Sequence, residues 1–149
     1  MGFRKDIDKR KVDIYALSPV KMLNINLHTH FSKPAGSFPI DLLVDIIKDL
    51  KPEYSKSLGE ALSGQKLFYA NMVIMSRIYF SEYCEFIFEV LQEHELRIVS
   101  SGWCQNPSVE GCYSRLSGYL GELLTSCFIS YQISKGVNVD FLPSYFLND

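Results

Sequence analysis

Apolar and polar positions change rhythm several times along the chain, and each change marks an element. Val12 to Leu17 (VDIYAL) has the β-branched and aromatic bias of a short strand, stopped by Ser18-Pro19. Met22 to Phe31 (MLNINLHTHF) sets Leu23, Ile25 and Leu27 against Asn24, Asn26 and His28, the alternation of a half-buried strand or an extended connection. Lys33 to Ser37 is a turn. Ser37 then caps a helix with Pro39 in its first turn, and Leu42, Leu43, Ile46, Ile47 and Leu50 recur at helical spacing as far as Pro52. Pro52 opens a second helix with Tyr54, Leu58 and Leu62 on one side and Gly64 as its stop, so a helical hairpin is expected. Leu67 to Met75 (LFYANMVIM) is a nearly continuous apolar run, consistent with a strand buried on both faces and the best candidate for the centre of a sheet.

Ser76 begins a helix to about His94. Its apolar stripe is Phe80, Tyr83, Ile87, Val90 and Leu91, and its opposite, solvated stripe carries Glu82, Glu85, Glu89 and Glu93. Residues 100–113 read as loop. From about Ser117 a last helix runs to Lys135, with Leu120, Leu123, Leu124, Cys127, Phe128 and Tyr131 in phase and Gly136 ending it. Val137 to Leu142 closes as a strand before Pro143. The expectation is one helix-rich α/β domain over residues 12–149, preceded by a charged leader over residues 1–11.

Composition agrees with a folded domain. The 149 residues are 47% hydrophobic and 21% charged, enough apolar material for a core that needs neither disulfides nor a structural metal. The formal charge is −2, and no Lys/Arg cluster beyond the leader offers a phosphate-tracking surface, so no nucleic-acid partner is expected. Asp45, Lys48, Glu85 and Glu122 interrupt the longest apolar stretches, leaving no transmembrane segment. The start, MGFRKDIDKRK, has no apolar region behind it to act as a secretory signal, which points to a cytoplasmic protein. Cys84, Cys104, Cys112 and Cys127 are sparse and read as reduced thiols.

Few residues announce chemistry by spacing. Asp6 and Asp8 form a D-x-D, but they sit in a charge run with no apolar strand before them and read as solvated. His28 and His30 point to one face if their segment is extended. They would then hydrogen-bond at the rim of a cleft or, with Cys104 and Cys112, complete a Cys₂His₂ set whose spacing matches no recognised zinc motif. Glu122 lies among Tyr119, Leu120, Leu123 and Leu124, where a carboxylate needs a partner: Arg115 in a structural ion pair, or a ligand. No dinucleotide fingerprint, phosphate loop, nucleophile elbow or H-E-x-x-H is present.

The stretch YANMVIMSRIYFSEYCEFIFEVL (residues 69–91) resembles the N-M-F-I-M … F-x-x-Y-C-x-W-L-F-x-I-L signature of a bacterial domain family. That family, of initially unknown function, is found in capsular and exopolysaccharide clusters and classed with glycosyltransferases. VDIYALSPV resembles its Y-D-I-I-L-P strand, LHTHF its histidine segment, DLLVDIIKDLKPEYSKSL its helix followed by P-x-Y, and RLSGYLGELL its R-x-x-G-[FY]-x-x-E-R-L motif. The resemblance covers nearly everything from Val12 onward. Leu123 stands where the family usually has arginine, and Phe86 where it usually has tryptophan. The family's His-Tyr-Arg-Arg-Tyr-Phe signature is missing, so the expectation is a C-terminal, acceptor-side portion of such an enzyme.

The resemblance implies a partial glycosyltransferase-A-like sheet with flanking helices. It also implies transfer of a sugar from a nucleotide-sugar donor to a surface-polysaccharide or lipopolysaccharide acceptor, with possible peripheral membrane association through a lipid-linked acceptor. No cofactor beyond the donor substrate is specified, and the need for a divalent metal is left open. Residue by residue, the motifs fall on Asn71, Met72, Tyr83, Glu85, Arg115, Gly118 and Glu122. Glu122 is expected to be the catalytic carboxylate, as a base or as an acceptor of a sugar hydroxyl's hydrogen bond. Arg115 would orient it or face a phosphate, and Asn71 would read a sugar hydroxyl. Gly118, His28 and His30 complete the expected substrate contacts, while Tyr83 and Met72 read as core. The competing expectation is a non-catalytic or truncated module that binds a partner through its acidic helix.

Overall fold

Ile14 and Ala16 are buried while Tyr15 and Leu17 between them are only half-buried, the period-two signature of β1 (Ile14–Leu17). The computed structural model describes residues 12–68 and 71–143, so the charged leader with Asp6 and Asp8 lies outside the described residues. β1 is the middle of a three-stranded sheet. It pairs antiparallel with β4 (Val73–Met75), with Ile14 opposite Met75, and parallel with β5 (Val139–Leu142), with Leu17 opposite Leu142. A separate two-stranded ribbon joins β2 (Val20–Lys21) to β3 (Lys66–Leu67), antiparallel.

Among the described residues, five helices complete the helix-rich α/β fold: α1 (Leu27–Ser32), α2 (Phe38–Leu50), α3 (Ser55–Ser63), α4 (Arg77–Ser100) and α5 (Glu110–Ser134). A 3₁₀ turn over Pro52–Tyr54 links α2 to α3, and two more occupy Trp103–Gln105 and Pro107–Val109. The core lies between α2 and α4 and between α3 and α5. Tyr54 stacks on Phe86 and packs against Tyr131, both at 4.1 Å between ring centroids, while Tyr83 meets Phe128 edge-on. Each large apolar side chain fully buried there contributes about 1.5–3 kcal/mol of transfer free energy. Among the described residues no helix is long and apolar enough to cross a membrane.

Five local expectations are corrected. The run Leu67–Met75 is not a central strand: it divides into β3 and β4, β4 is a sheet edge, and Ile74 is 60% exposed. The break falls at Asn71, whose φ of 52° is left-handed and cannot continue an extended chain. The segment Met22–Phe31 is not a strand. Asn26 caps α1, its side-chain oxygen accepting from the Thr29 N–H at 2.8 Å, and burial then follows Leu27 and Phe31 at i and i+4, while Leu23 is 80% exposed.

The remaining three corrections concern the long helices. Phe80 is exposed rather than part of the α4 core stripe, and α5 begins at Glu110 inside the expected loop. Glu82 is not solvated. It turns inward to accept from Gln132 Nε2 at 2.8 Å and, more weakly, from the Tyr54 hydroxyl at 3.3 Å. Its neighbours on the acidic stripe are tied by ion pairs, Glu89 to Lys51 and Glu93 to Arg97.

Candidate functional site

β1 and β5 run parallel, so their carboxyl ends, at Leu17 and Leu142, lie side by side. The carboxyl ends of parallel strands are where open α/β sheets place ligands. The antiparallel β4 starts at that same end, which brings Asn71, two residues before it, to the mouth of the sheet. A hollow of about 260 Å³ opens there, lined by Leu17, Asn71, Met72, Ile74 and Leu142 among others.

α5 supplies the wall behind Asn71. A methyl group placed on Gly121 would lie 3.3 Å from Asn71 Nδ2, so the missing side chain at Gly121 is what lets the amide rest on the helix. The Thr125 hydroxyl, wholly buried, donates to Asn71 Oδ1 at 2.7 Å and lies 2.8 Å from the Tyr83 hydroxyl. A hydroxyl has one proton, which Thr125 shares between Asn71 Oδ1 and the Gly121 carbonyl at 2.8 Å, so toward the Tyr83 hydroxyl it accepts. Burial pushes the Tyr83 phenol above its ordinary range, partly offset by its bond to Thr125, which keeps it a neutral donor. One step away, the Ser126 hydroxyl accepts from the Phe68 N–H at 3.2 Å. Two successive hydroxyls of α5 therefore hold Phe68 and Asn71.

Gly118, Gly121, Glu122 and Thr125 follow one another at i, i+3, i+4 and i+7 and form one patch of helix surface. Asn71 sits on it through Gly121 and Thr125, and the half-buried Glu122 belongs to the same patch. Gly118 is exposed, with open space where a side chain would be. Arg115, about two turns before Glu122 and so roughly 10 Å along the axis, places its guanidinium 5.3 Å from the centre of the Tyr119 ring. That stacking, not an ion pair with Glu122, is the contact the fold gives it.

The two histidines are not drawn into this patch. On a helix, positions two apart point to nearly opposite sides, so the shared face expected of His28 and His30 is lost. His28 Nε2 lies 3.3 Å from Asp41 on α2, and His30 meets Phe31 edge-on. Cys112 donates to the Pro34 carbonyl, and among the described residues no three His, Cys, Asp or Glu side chains converge as metal ligands. Thr125 is the polar residue of the patch that no sequence motif singles out, and Tyr83, a motif residue expected in the core, is the buried group that bonds to it. The one available signal was a threonine at i+4 from a glycine within an apolar helix.

The fold is that of a helix-rich α/β domain with a hollow at the carboxyl ends of its parallel strands. The chain belongs to the family described as a domain of unknown function, DUF4422, whose pattern matches residues 5–133. No curated protein matches it. Among solved structures it is similar to the apo structure of the bifunctional glycosyltransferase WbbM, with a TM-score of 0.75 and 21% identity. The match covers 89% of this chain and 23% of that one, so the chain spans about a quarter of WbbM's length.

Proposed function

We propose that this domain is the acceptor-side part of a glycosyltransferase that moves a sugar from a nucleotide-sugar donor to a surface-polysaccharide or lipopolysaccharide acceptor. The observation that carries the reading is the fold shared with part of WbbM, with Asn71 at the carboxyl ends of β1 and β5 resting on α5 at Gly121, next to Glu122 in sequence. In this reading Glu122 takes the proton of an acceptor hydroxyl as its oxygen bonds to the anomeric carbon of the donor. The bond from that carbon to the diphosphate breaks, and the nucleoside diphosphate leaves with the electron pair. Asn71, held at Oδ1 by Thr125, offers its Nδ2 to a sugar hydroxyl. Open space over Gly118 admits the saccharide, and Arg115 faces an oxyanion from the surface. His28, paired with Asp41 of α2, and His30 stand on α1 as outer contacts, and a lipid-linked acceptor would bring the protein to a membrane surface.

The test is sugar transfer by the natural full-length gene product. Glu122→Gln is expected to lower kcat by about 10²-fold or more, within the range for a lost general base, with KM little changed. Asn71→Ala is expected to raise the KM for acceptor. An unchanged kcat in Glu122→Gln removes the base role. A partner-binding module remains a second reading because Ile78, Phe88 and Leu96 are exposed on α4, although the acidic stripe once expected to serve it is largely engaged within the fold.

A further inference from the structure

A second cleft, of about 870 Å³, opens between the β2–β3 ribbon, the end of α3, the last turns of α5 and β5. Its size falls in the range of small-molecule sites, about 300–1,000 Å³. Lys21 and Lys66 stand directly opposite each other in the ribbon register, both are exposed, and both line this cleft. Like charges directly across a strand pair repel. Among the described residues neither lysine has a carboxylate partner within ion-pair distance, and Glu60 on the rim lies nearest Lys56, at 3.9 Å. Leu67 turns inward to the core, so Lys66 and Phe68 on either side of it share the cleft face. Phe68 stacks on Phe141 at 5.8 Å, and Phe141 is 40% exposed. Ser130 and Ser134, one turn apart on α5, add hydroxyls to the opposite wall.

We propose that this cleft binds the diphosphate of a ring-bearing diphosphate ester, Lys21 and Lys66 holding the phosphates and Phe141 packing on the attached ring. Two ammonium groups placed side by side with, among the described residues, no carboxylate in ion-pair distance of either are satisfied by a doubly charged anion lying between them, on the side of the cleft away from Glu60. The exposed aromatic beside them accepts the face of a base or a sugar, and the serines bond the remaining oxygens. The naming of a diphosphate ester rests on the glycosyl-transfer reading. The charge and ring arguments do not. The ligand source is either a nucleoside diphosphate or a lipid-linked diphosphosaccharide, which share this chemistry.

Isothermal titration of the full chain at low salt, with UDP, uridine, inorganic pyrophosphate and N-acetylglucosamine carried on farnesyl diphosphate, tests it. One of the two esters is expected to bind at least about tenfold more tightly than uridine and pyrophosphate, and to weaken as salt rises. UDP as the tighter ester identifies the nucleotide as the source, and the farnesyl ester identifies the lipid. Lys21→Gln with Lys66→Gln should weaken that binding about tenfold or more, Arg at both positions should restore it, and Phe141→Ala should weaken the ester but not pyrophosphate. Neither ester binding, or binding unchanged in the lysine variants, overturns the proposal. Loss of transfer in Glu122→Gln with unaltered diphosphate binding in the lysine variants would remove the cleft and leave the function. Binding that depends on the lysines without any transfer would do the reverse.

Discussion

Thr125 shows how a single hydroxyl sets the candidate site. It receives from Tyr83 and donates to Asn71, so it links the α4 core to the mouth of the sheet. Thr125→Val keeps the shape and removes both bonds, leaving the buried Tyr83 hydroxyl without its acceptor. A loss of about 1–3 kcal/mol is expected in urea unfolding, with Thr125→Ser close to wild type. Only its place four residues after Gly121 marks this threonine in the sequence, because a helical threonine among apolar residues reads as a small core residue whose hydroxyl bonds back to the i−4 carbonyl, as it also does here to Gly121. Asn71 was legible as a motif residue. Its left-handed backbone was not, since the apolar residues flanking it gave no turn signal.

Among the elements, α4 carries a buried histidine. His94 is nearly inaccessible and its Nε2 donates to the Pro39 carbonyl at 2.8 Å, clamping α4 to the start of α2. Burial lowers its pKa from the ordinary value, outweighing the carbonyl bond and nearby Glu95. The unfolded chain therefore binds this proton at higher pH than the folded one, so its contribution is fully present above the unfolded value near 6.5. That contribution is lost as pH falls from there through the lowered folded value. Thermal unfolding should show a fall in Tm below about pH 6.5 that is shallower in His94→Gln, and an equal slope in that variant would argue against the clamp. The long helices α2, α4 and α5 were legible because many apolar residues repeat at one spacing. The short elements were not, because α1 is set by one Asn26 cap and the break before β4 by one residue's φ, and neither alters hydrophobic periodicity.

For the whole molecule, the five strands and five helices of the described residues set Asn71 in the hollow at the carboxyl ends of β1 and β5, and Phe68 in the lysine-lined cleft. The order of motifs along the chain made the family legible before any contact was known. The cleft was not, because Lys21 and Lys66 are 45 positions apart and only the ribbon register sets them opposite each other. The central claim is glycosyl transfer, and its most direct measurement is release of a nucleoside diphosphate from a panel of nucleotide sugars by the natural full-length gene product, with extracted surface saccharides as acceptors. The account predicts acceptor-dependent release with one donor, coupled one to one to labelled sugar in the polysaccharide or lipid fraction. Absence of acceptor-dependent release across the panel, with the protein folded, would contradict it.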